Sequence, residues 1–359
     1  MIEFFRRDGS SLSGKQNESS GDHTRFMLRR YIEKKERQFS YRDTNRRVLP
    51  FELGLEWLPP NGHLDGREHL RRFVEEALQD SDKFFSLTSE PQYQVEGNRL
   101  TFPSTLKSSV EENDQVCARL FMKPGSDRAV VILPHWNAQP ESYFALARVL
   151  NLFNISAVRL SLPYHDVRRP SQMERSDYMV SPNLARTLHA SQQAVIDTRA
   201  TVRWLRARGF RRIGIMGTSI GSCIGYLAFA HDRDINVGVF NHVSDFFADV
   251  VWTGLSTRFV RQGLEPYIGL DELRHYWSPI SPHSFIARVK ENYRRHLLIT
   301  ARYDSTFLPE LTERLFAEYR RLRIPYERAE LPCGHYTTGM FPFSFYDGYL
   351  ITRYFVRHL

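Results

Sequence analysis

Three residues in the second half of the chain have the types and the order that nucleophilic catalysis requires. Ser219 is at the centre of Gly217-Thr-Ser-Ile-Gly221, between an apolar run and a helical pattern. A sharp strand-to-helix turn of this kind exposes the serine hydroxyl, and glycines on either side avoid a collision between neighbouring backbones. Asp304 and His335 follow along the chain. They supply a carboxylate that can orient an imidazole and an imidazole that can accept the serine proton.

Asp304 and His335 each follow a predicted strand, at 295–301 and 325–331. Each residue alone has an ordinary structural explanation. Asp304 could cap a helix, His335 could be a loop histidine, and the turn at Ser219 could merely pack a helix on the sheet. Three suitable residue types in the right order, each at the carboxyl end of a strand, favour a catalytic triad.

Alternating strands and helices must position these residues. Two strand patterns, 128–134 and 295–301, are continuous apolar runs typical of strands buried on both faces. The alternation predicts an α/β fold with a mostly parallel, eight-stranded sheet covered by helices on both faces. The predicted strands are 92–102, 115–122, 128–134, 155–161, 211–217, 235–241, 295–301 and 325–331. The predicted helices of this region are 140–151, 185–208, 220–231, 309–323 and 343–357.

The region before residue 92 has a different character. Residues 8–22 are small and polar, so they cannot bury enough apolar surface to fold alone. Helical patterns follow at 23–38 and 67–85, and a further helical insertion at 243–290 is a candidate lid near the carboxyl edge of the sheet. The predicted units are a basic, partly disordered tail with a helix at 1–45, a helical extension at 46–91 and the α/β domain at 92–359.

Composition and charge exclude several classes of protein. A chain of 359 residues with 42% hydrophobic residues can bury a substantial core, so a wholly disordered or fibrous protein is excluded. The net charge is +8, but residues 1–50 alone hold 12 basic and 7 acidic residues. The basic pairs lie among acids at helical spacing, which is typical of solvated faces, so no nucleic-acid partner is expected.

Targeting and cofactor signals are also weak. No apolar run is long enough to span a bilayer, and Met1–Arg7 has no secretory apolar region. Three cysteines, Cys117, Cys223 and Cys333, are too scattered for a disulfide framework or a zinc site. We therefore expect a cytoplasmic protein with no metal, no cofactor and no stable membrane insertion. The sequence leaves its oligomeric state open.

On these motifs, residues 92–359 resemble the α/β-hydrolase superfamily, whose triad has the chain order Ser, Asp, His. The segment 162–170 (LPYHDVRRP) and the aromatic lid resemble a little-characterised branch of hydrolases. Some similarity to dienelactone-hydrolase and prolyl-oligopeptidase-like groups is also visible. The resemblance implies a serine hydrolase with an eight-stranded sheet, a helical lid and no cofactor.

The resemblance also implies where an oxyanion hole would lie. One donor is the backbone N–H of Ile220, the residue after the nucleophile. The other comes from the loop after strand 128–134, where this chain has His135-Trp136 and the superfamily usually has His-Gly. Asn137 is the preferred second donor, and Trp136 is the alternative.

The predicted reaction is hydrolysis of a small-molecule carboxylic ester or thioester through an acyl-enzyme on Ser219. His135 and the lid residues Trp252 and Arg258 are expected to contact the substrate. An acyltransferase that uses the same acyl-enzyme is the first alternative. A peptidase ranks lower, because the first 90 or so residues have no repeats of a propeller. A binding protein without catalytic activity is the remaining alternative.

Overall fold

The computed structural model describes residues 18–42, 47–60 and 65–359. Most of the polar segment 8–22 lies outside the described residues. Nine strands form one sheet in the described part of the chain. They are β1 (Gln94–Glu96), β2 (Arg99–Pro103), β3 (Gln115–Phe121), β4 (Arg128–Leu133), β5 (Ser156–Leu160), β6 (Arg212–Thr218), β7 (Ile235–Asn241), β8 (His296–Ala301) and β9 (Glu327–Leu331).

The sheet has the order β1-β2-β3-β5-β4-β6-β7-β8-β9. Strands β4 to β9 run parallel to one another, and β1, β2 and β3 form an antiparallel edge beside β5. The predicted mostly parallel α/β sheet is confirmed. One boundary differs, because Gly97 adopts a φ of +58° and reverses the chain inside the predicted strand 92–102. That region therefore forms the hairpin β1–β2, and the sheet gains a ninth strand.

Thirteen α-helices occur within the described ranges. They are α1 (Glu18–Arg42), α2 (Gly66–Gln79), α3 (Ser81–Phe84), α4 (Glu111–Asp114), α5 (Phe144–Leu152), α6 (Leu184–Ala207), α7 (Ile220–His231), α8 (Phe247–Thr253), α9 (Arg258–Leu264), α10 (Leu270–Tyr276), α11 (Ile286–Glu291), α12 (Pro309–Leu322) and α13 (Phe343–His358). Single 3₁₀ turns lie at Leu55–Trp57, Asp166–Arg168, Ser278–Ile280, Pro282–Phe285 and Thr337–Gly339. Across these described residues, no helix has both the length and the apolar character that a membrane crossing needs.

Helices cover both faces of the sheet because the central strands are apolar on both sides. In β4, Val130 and Ile132 belong to one buried cluster with residues of α5 and α13, whereas Val131 and Leu133 belong to another with residues of α6, α7 and α12. Alternate residues of a strand point to opposite faces, so β4 is buried on both faces of the sheet. The functional consequence is a rigid sheet whose carboxyl edge carries the loops after β4, β6, β7, β8 and β9.

The predicted helix 67–85 is divided into α2 and α3 at Asp80. The Asp80 carboxylate accepts a hydrogen bond from the Lys83 backbone N–H at 3.0 Å, which starts a new helix. Leu70 and Val74 of α2 are fully buried in the same core that packs against the sheet. The extension therefore shares its core with the α/β domain.

Arg168, in the segment after β5, is a buried arginine. Its side chain is fully buried, and it donates to the Asp197 carboxylate at 2.8 Å and to the backbone carbonyls of Asn113 and Ser161. Asp197 also accepts a hydrogen bond from the Ser104 hydroxyl at 2.6 Å. The ion pair thus has its hydrogen-bonding groups satisfied, and it ties the segment after β5 to α6.

Replacing Arg168 by alanine should leave the buried Asp197 carboxylate without its ion-pair partner. Loss of one partner of a buried pair costs about 3–5 kcal/mol. Urea unfolding of Arg168→Ala should show a decrease of this order in the free energy of unfolding. Arg169→Ala, the neighbouring partly exposed arginine, serves as the control and should unfold close to the wild type. Equal midpoints for wild type and Arg168→Ala would contradict the assigned role.

Candidate active site

The turn between β6 and α7 holds Ser219 in a strained backbone conformation, with φ 58° and ψ −123°. Two glycines make the turn possible. A Cβ on Gly217 would lie 2.0 Å from the carbonyl oxygen of Gly221, and a Cβ on Gly221 would lie 2.4 Å from that of Leu133. Since neither backbone can move aside cheaply, both positions require glycine. The turn therefore brings Ser219 to the wall of a cavity at the carboxyl edge of the sheet.

Asp304 lies in the loop after β8 and is almost fully buried. Its Oδ1 accepts hydrogen bonds from the backbone N–H groups of Thr306 (2.8 Å) and Phe307 (2.7 Å). Because α12 begins only at Pro309, with Leu308 at its N-cap, Asp304 does not cap that helix. Burial raises the pKa of Asp304, but His335 and a second histidine lower it by more, so the carboxyl group has a pKa well below its usual range.

His335 lies in the loop after β9, with Nδ1 3.3 Å from the Asp304 carboxylate. Its ring stacks on Phe307, with the ring centroids 5.5 Å apart. Burial lowers the pKa of His335, but the charge of Asp304 raises it by more, so the net pKa is above the ordinary value. Ser219 and His335 line the same cavity. Among the described residues, the Ser219 hydroxyl makes no hydrogen bond to an imidazole, as is common in catalytic sites without substrate.

The second histidine, His242, was missed by the sequence analysis. It follows β7 directly, and its Nδ1–H donates to Asp304 Oδ2 at 2.6 Å. Its Nε2 lies 3.1 Å from the hydroxyl oxygen of Thr338, which in turn donates to the Gly334 carbonyl at 2.7 Å. His242 thereby links the loop of the acid to the loop of His335. The sequence does contain a signal for His242. The polar pair Asn241-His242 lies at the carboxyl end of β7, the strand between β6, which precedes Ser219, and β8, which precedes Asp304.

His242, Asp304 and His335 also have the chemistry of metal ligands, and their ligating atoms lie within 4.8 Å of one another. The Asp304 carboxylate, however, already accepts hydrogen bonds from two backbone N–H groups and two imidazoles. The two backbone N–H groups bond to Oδ1, and the two imidazoles bond to Oδ2. The hydrogen-bond network therefore explains why these three side chains come together.

The loop after β4 changes the expected oxyanion hole. The backbone N–H of Asn137 donates to His165 Nε2 at 3.1 Å, and His165 Nδ1 donates to the Pro163 carbonyl at 2.8 Å. Burial lowers the pKa of His165 to about 4, so the ring is neutral and can accept the Asn137 hydrogen bond. The Asn137 N–H is thus already used, and the structure does not favour it as the second donor.

Trp136, the alternative donor, differs from Asn137 in its hydrogen bonding. Its indole N–H donates to the Ser176 carbonyl at 3.0 Å, which fixes the loop. Its backbone N–H has no hydrogen bond to any described residue. Ile220 is the first residue of α7, so its backbone N–H has no acceptor within the helix. Both residues line the cavity beside Ser219. Free N–H groups of this kind can stabilise a developing oxyanion.

The cavity has a volume of about 1360 Å³ and a mostly apolar wall. Residues of the predicted lid contribute to this wall, among them Phe247, Val250 and Val251 of α8. His135 also lines it, but its Nδ1 lies 2.7 Å from the Tyr143 hydroxyl, and burial lowers its pKa to about 3. His135 is therefore neutral and bound to its own loop, which makes it unsuitable as a base.

Trp252 and Arg258 do not take the positions expected of substrate-binding residues. Neither is among the described residues that line the cavity. Arg258 instead donates to the carbonyl of Ser40 in α1 at 3.3 Å, and its guanidinium lies 5.6 Å from the ring centroid of Tyr41. Their role in substrate binding stays a prediction that this geometry does not support.

A further polar cluster lies in the cavity at the inner face of α13. The side-chain amide of Asn241 donates to Asp347 Oδ2 at 2.9 Å. In the part of the chain that the structure describes, Asn241 Oδ1 and Asp347 Oδ1 are buried without a hydrogen-bond partner. Burial raises the pKa of Asp347 to about 7, although the Asn241 hydrogen bond opposes this change.

Most of the described fold resembles that of several solved structures. No protein-family model matches the sequence, and no curated protein matches it. Among solved structures, an acetyl xylan esterase from Paenibacillus sp. R4 is similar, with a TM-score of 0.56, 14% identity and coverage of 87% of this chain and 100% of that chain.

Two other structures are comparably similar. Acetyl xylan esterase 1 from a Thermoanaerobacterium species has a TM-score of 0.55 and 13% identity, with coverage of 80% of this chain and 93% of that chain. An acylaminoacyl peptidase from Pyrococcus horikoshii has a TM-score of 0.54 and 14% identity, with coverage of 78% of this chain and 44% of that chain. The chain thus has the α/β-hydrolase fold, as the sequence predicts.

Asp347 should make stability depend on pH. Since its folded-state pKa of about 7 exceeds that of an unfolded aspartate, the folded chain retains a proton that the unfolded chain releases above about pH 4. The bound proton stabilises the folded state fully below about pH 4, and this stabilisation is lost as the pH rises through about 7. Between pH 5 and pH 8, urea unfolding should show a loss on the order of 2 kcal/mol that Asp347→Asn lacks.

Asp271→Asn is the control, because the Asp271 side chain is 94% exposed. It should lose as much free energy of unfolding between pH 5 and pH 8 as the wild type does. The same loss in Asp347→Asn would show that Asp347 is already ionised in the folded protein at pH 5.

Proposed function

We propose that this protein is a serine hydrolase that cleaves carboxylic esters through an acyl-enzyme on Ser219. The observation that carries the proposal is a single cavity lined by a serine on a strained turn and by a histidine bound to a buried aspartate. Similarity in fold to two acetyl xylan esterases supports ester chemistry but does not identify the substrate.

Acylation begins when His335 removes the proton from the Ser219 hydroxyl as its oxygen attacks the ester carbon. With Nδ1 at the Asp304 carboxylate, Nε2 of His335 is the nitrogen left to accept this proton. The positive charge on the imidazole is stabilised by Asp304. The negative charge on the substrate oxygen is stabilised by the backbone N–H groups of Ile220 and Trp136.

Collapse of the tetrahedral intermediate breaks the bond to the alcohol, and His335 donates its proton to that leaving group. Water then attacks the acyl-enzyme with His335 as the base, which releases the acid and restores Ser219. A thioester would follow the same steps with a thiol as leaving group. If an alcohol replaces water in the second half, the same residues catalyse acyl transfer.

The cavity wall supports a substrate with an apolar acyl or alcohol part. Burial of apolar surface contributes about 25 cal/mol per Å², so longer chains should bind more tightly until they fill the space. The residues of α8 on this wall support the interpretation of 243–290 as a lid. The access of water past such an element to the acyl-enzyme would decide between hydrolysis and acyl transfer.

Labelling with a fluorophosphonate and hydrolysis of p-nitrophenyl esters of increasing chain length test the activated serine. Ser219→Ala should abolish labelling and hydrolysis. His335→Ala and Asp304→Asn should lower kcat/KM by about 10³-fold or more, because the proton acceptor or its orientation is lost. The exposed His275 offers a matched control, and His275→Ala should retain wild-type rates.

The outcome separates the alternatives. No labelling of the folded wild type would contradict the proposal and favour a binding protein without catalytic activity. Labelling together with transfer of the acyl group to an added alcohol, in preference to water, would identify an acyltransferase. Faster cleavage of acylated peptides than of any ester would identify a peptidase.

The pH dependence of kcat/KM should report the environment of His335. Because Asp304 raises the pKa of the imidazole above its ordinary value of about 6.5, the neutral base becomes abundant only at higher pH. The rate should therefore rise with pH along an acid limb centred above 6.5. Initial rates on one ester between pH 5 and pH 9 measure this limb, and a limb centred below 6 would contradict the proposed environment.

A further inference from the structure

Glu36, in the middle of α1, is a buried carboxylate beside the candidate site. Its side chain is only 1% exposed, although its neighbours in sequence are mostly charged or polar. Oε2 accepts hydrogen bonds from the Ser305 hydroxyl (2.5 Å) and the Tyr336 backbone N–H (3.2 Å). Oε1 accepts one from the Thr337 backbone N–H (2.8 Å). A buried carboxylate is tolerated when it is hydrogen-bonded in this way.

The three donors belong to the two loops that carry Asp304 and His335. Ser305 follows Asp304 directly, and Tyr336 and Thr337 follow His335 directly. One carboxylate thus hydrogen-bonds to both loops.

Gly334 makes room for this contact. A Cβ at that position would lie 2.5 Å from Cδ of Glu36. Glycine at 334 is therefore explained by the close approach of the Glu36 side chain to the His335 loop, and not by any demand of the turn itself.

Other residues of α1 keep Glu36 in place. Ile32 and Ser40, four residues before and after it, are also buried, so one face of α1 packs inward. The Ser40 carbonyl accepts a hydrogen bond from Arg258. Phe39 and Arg42 line the cavity itself. The helix therefore forms part of the wall of the site, and it is not a separate tail.

We propose that Glu36 is a positioning residue that fixes the Asp304 and His335 loops relative to each other through Ser305, Tyr336 and Thr337. This inference rests on the proposed function for its effect on rate. Its effect on the His335 imidazole can be measured without any turnover.

The electrostatic surroundings of His335 give Glu36 a second, measurable effect. After the larger influence of burial and of Asp304, the Glu36 charge also raises the pKa of His335. Removal of that charge should therefore lower the pKa of the imidazole. The titratable or charged groups around His335, from all the elements packed near it, are Asp304, His242, His135, Glu36, Tyr336 and Arg42.

Two substitutions separate charge from geometry. Glu36→Gln keeps the shape and removes the charge, whereas Glu36→Asp keeps the charge and shortens the reach. Glu33→Gln is the matched control, because Glu33 lies on the same helix in an exposed pair with Arg29. For each variant, the rate of fluorophosphonate labelling is measured against pH. The His335 imidazole is titrated by NMR with ¹³C-labelled histidine, and its signal is assigned by its loss in His335→Gln.

Glu36→Gln should move the acid limb of labelling and the His335 titration to lower pH, and its plateau rate should fall about tenfold or more. Glu36→Asp should lose rate with little movement of the limb. Glu33→Gln should match the wild type. If Glu36→Gln does not fold, Ser305→Ala removes one of the three hydrogen bonds and should show a smaller loss of rate.

Wild-type rates and an unchanged His335 titration in folded Glu36→Gln would overturn the inference. So would wild-type rates in both Glu36→Asp and Ser305→Ala. A folded wild type that is never labelled would instead overturn the proposed function. The NMR titration would then still decide whether Glu36 acts on His335, and an unchanged titration in Glu36→Gln would overturn that as well.

Discussion

A buried carboxylate must be surrounded by hydrogen-bond donors, and the arrangement of the candidate site follows from that constraint at Asp304. Its four donors come from the loops after three adjacent strands: His242 after β7, two backbone N–H groups after β8, and His335 after β9. Satisfying one charge therefore brings these loops together. Glu36 meets the same requirement, with donors from two of the same loops.

The position of Ser219 depends on a different constraint, the close approach of backbone segments. The helix after Ser219 begins directly against the end of β4, which leaves no room for a Cβ at Gly221. A Cβ at Gly217 would collide with the backbone of Gly221 itself. The loop after β4 is held separately by His165 and Ser176. Steric contact thus determines the position of Ser219, and the buried charge of Asp304 determines the position of His335. Both groups lie at the same edge of the sheet and line one cavity.

Much of the fold could be predicted because it depends on sequence patterns that are only a few residues long. Apolar runs such as β4 and β8 identify strands buried on both faces, and the glycines around Ser219 identify the turn. The hairpin β1–β2 was not separated, because a single Gly97 with positive φ looks like any other glycine in a strand pattern. In the loop after β4, the resemblance implied two candidate oxyanion donors, Asn137 and Trp136. The choice depends on His165, which lies 28 residues beyond Asn137 in the chain.

The sequence by itself determined the order of strands and helices, the turn at Ser219, and the identity of an acid and a histidine after the last two strands. These features depend on neighbours within a few residues. Only the tertiary structure decided that His242 joins Asp304, that Glu36 and Arg168 are buried, and that the Asn137 N–H is already bonded. A charged residue on a polar helix looks the same in sequence whether solvent or a loop 300 residues away covers it. Burial is a property of the assembled fold, so the partners of these groups had to be seen in three dimensions.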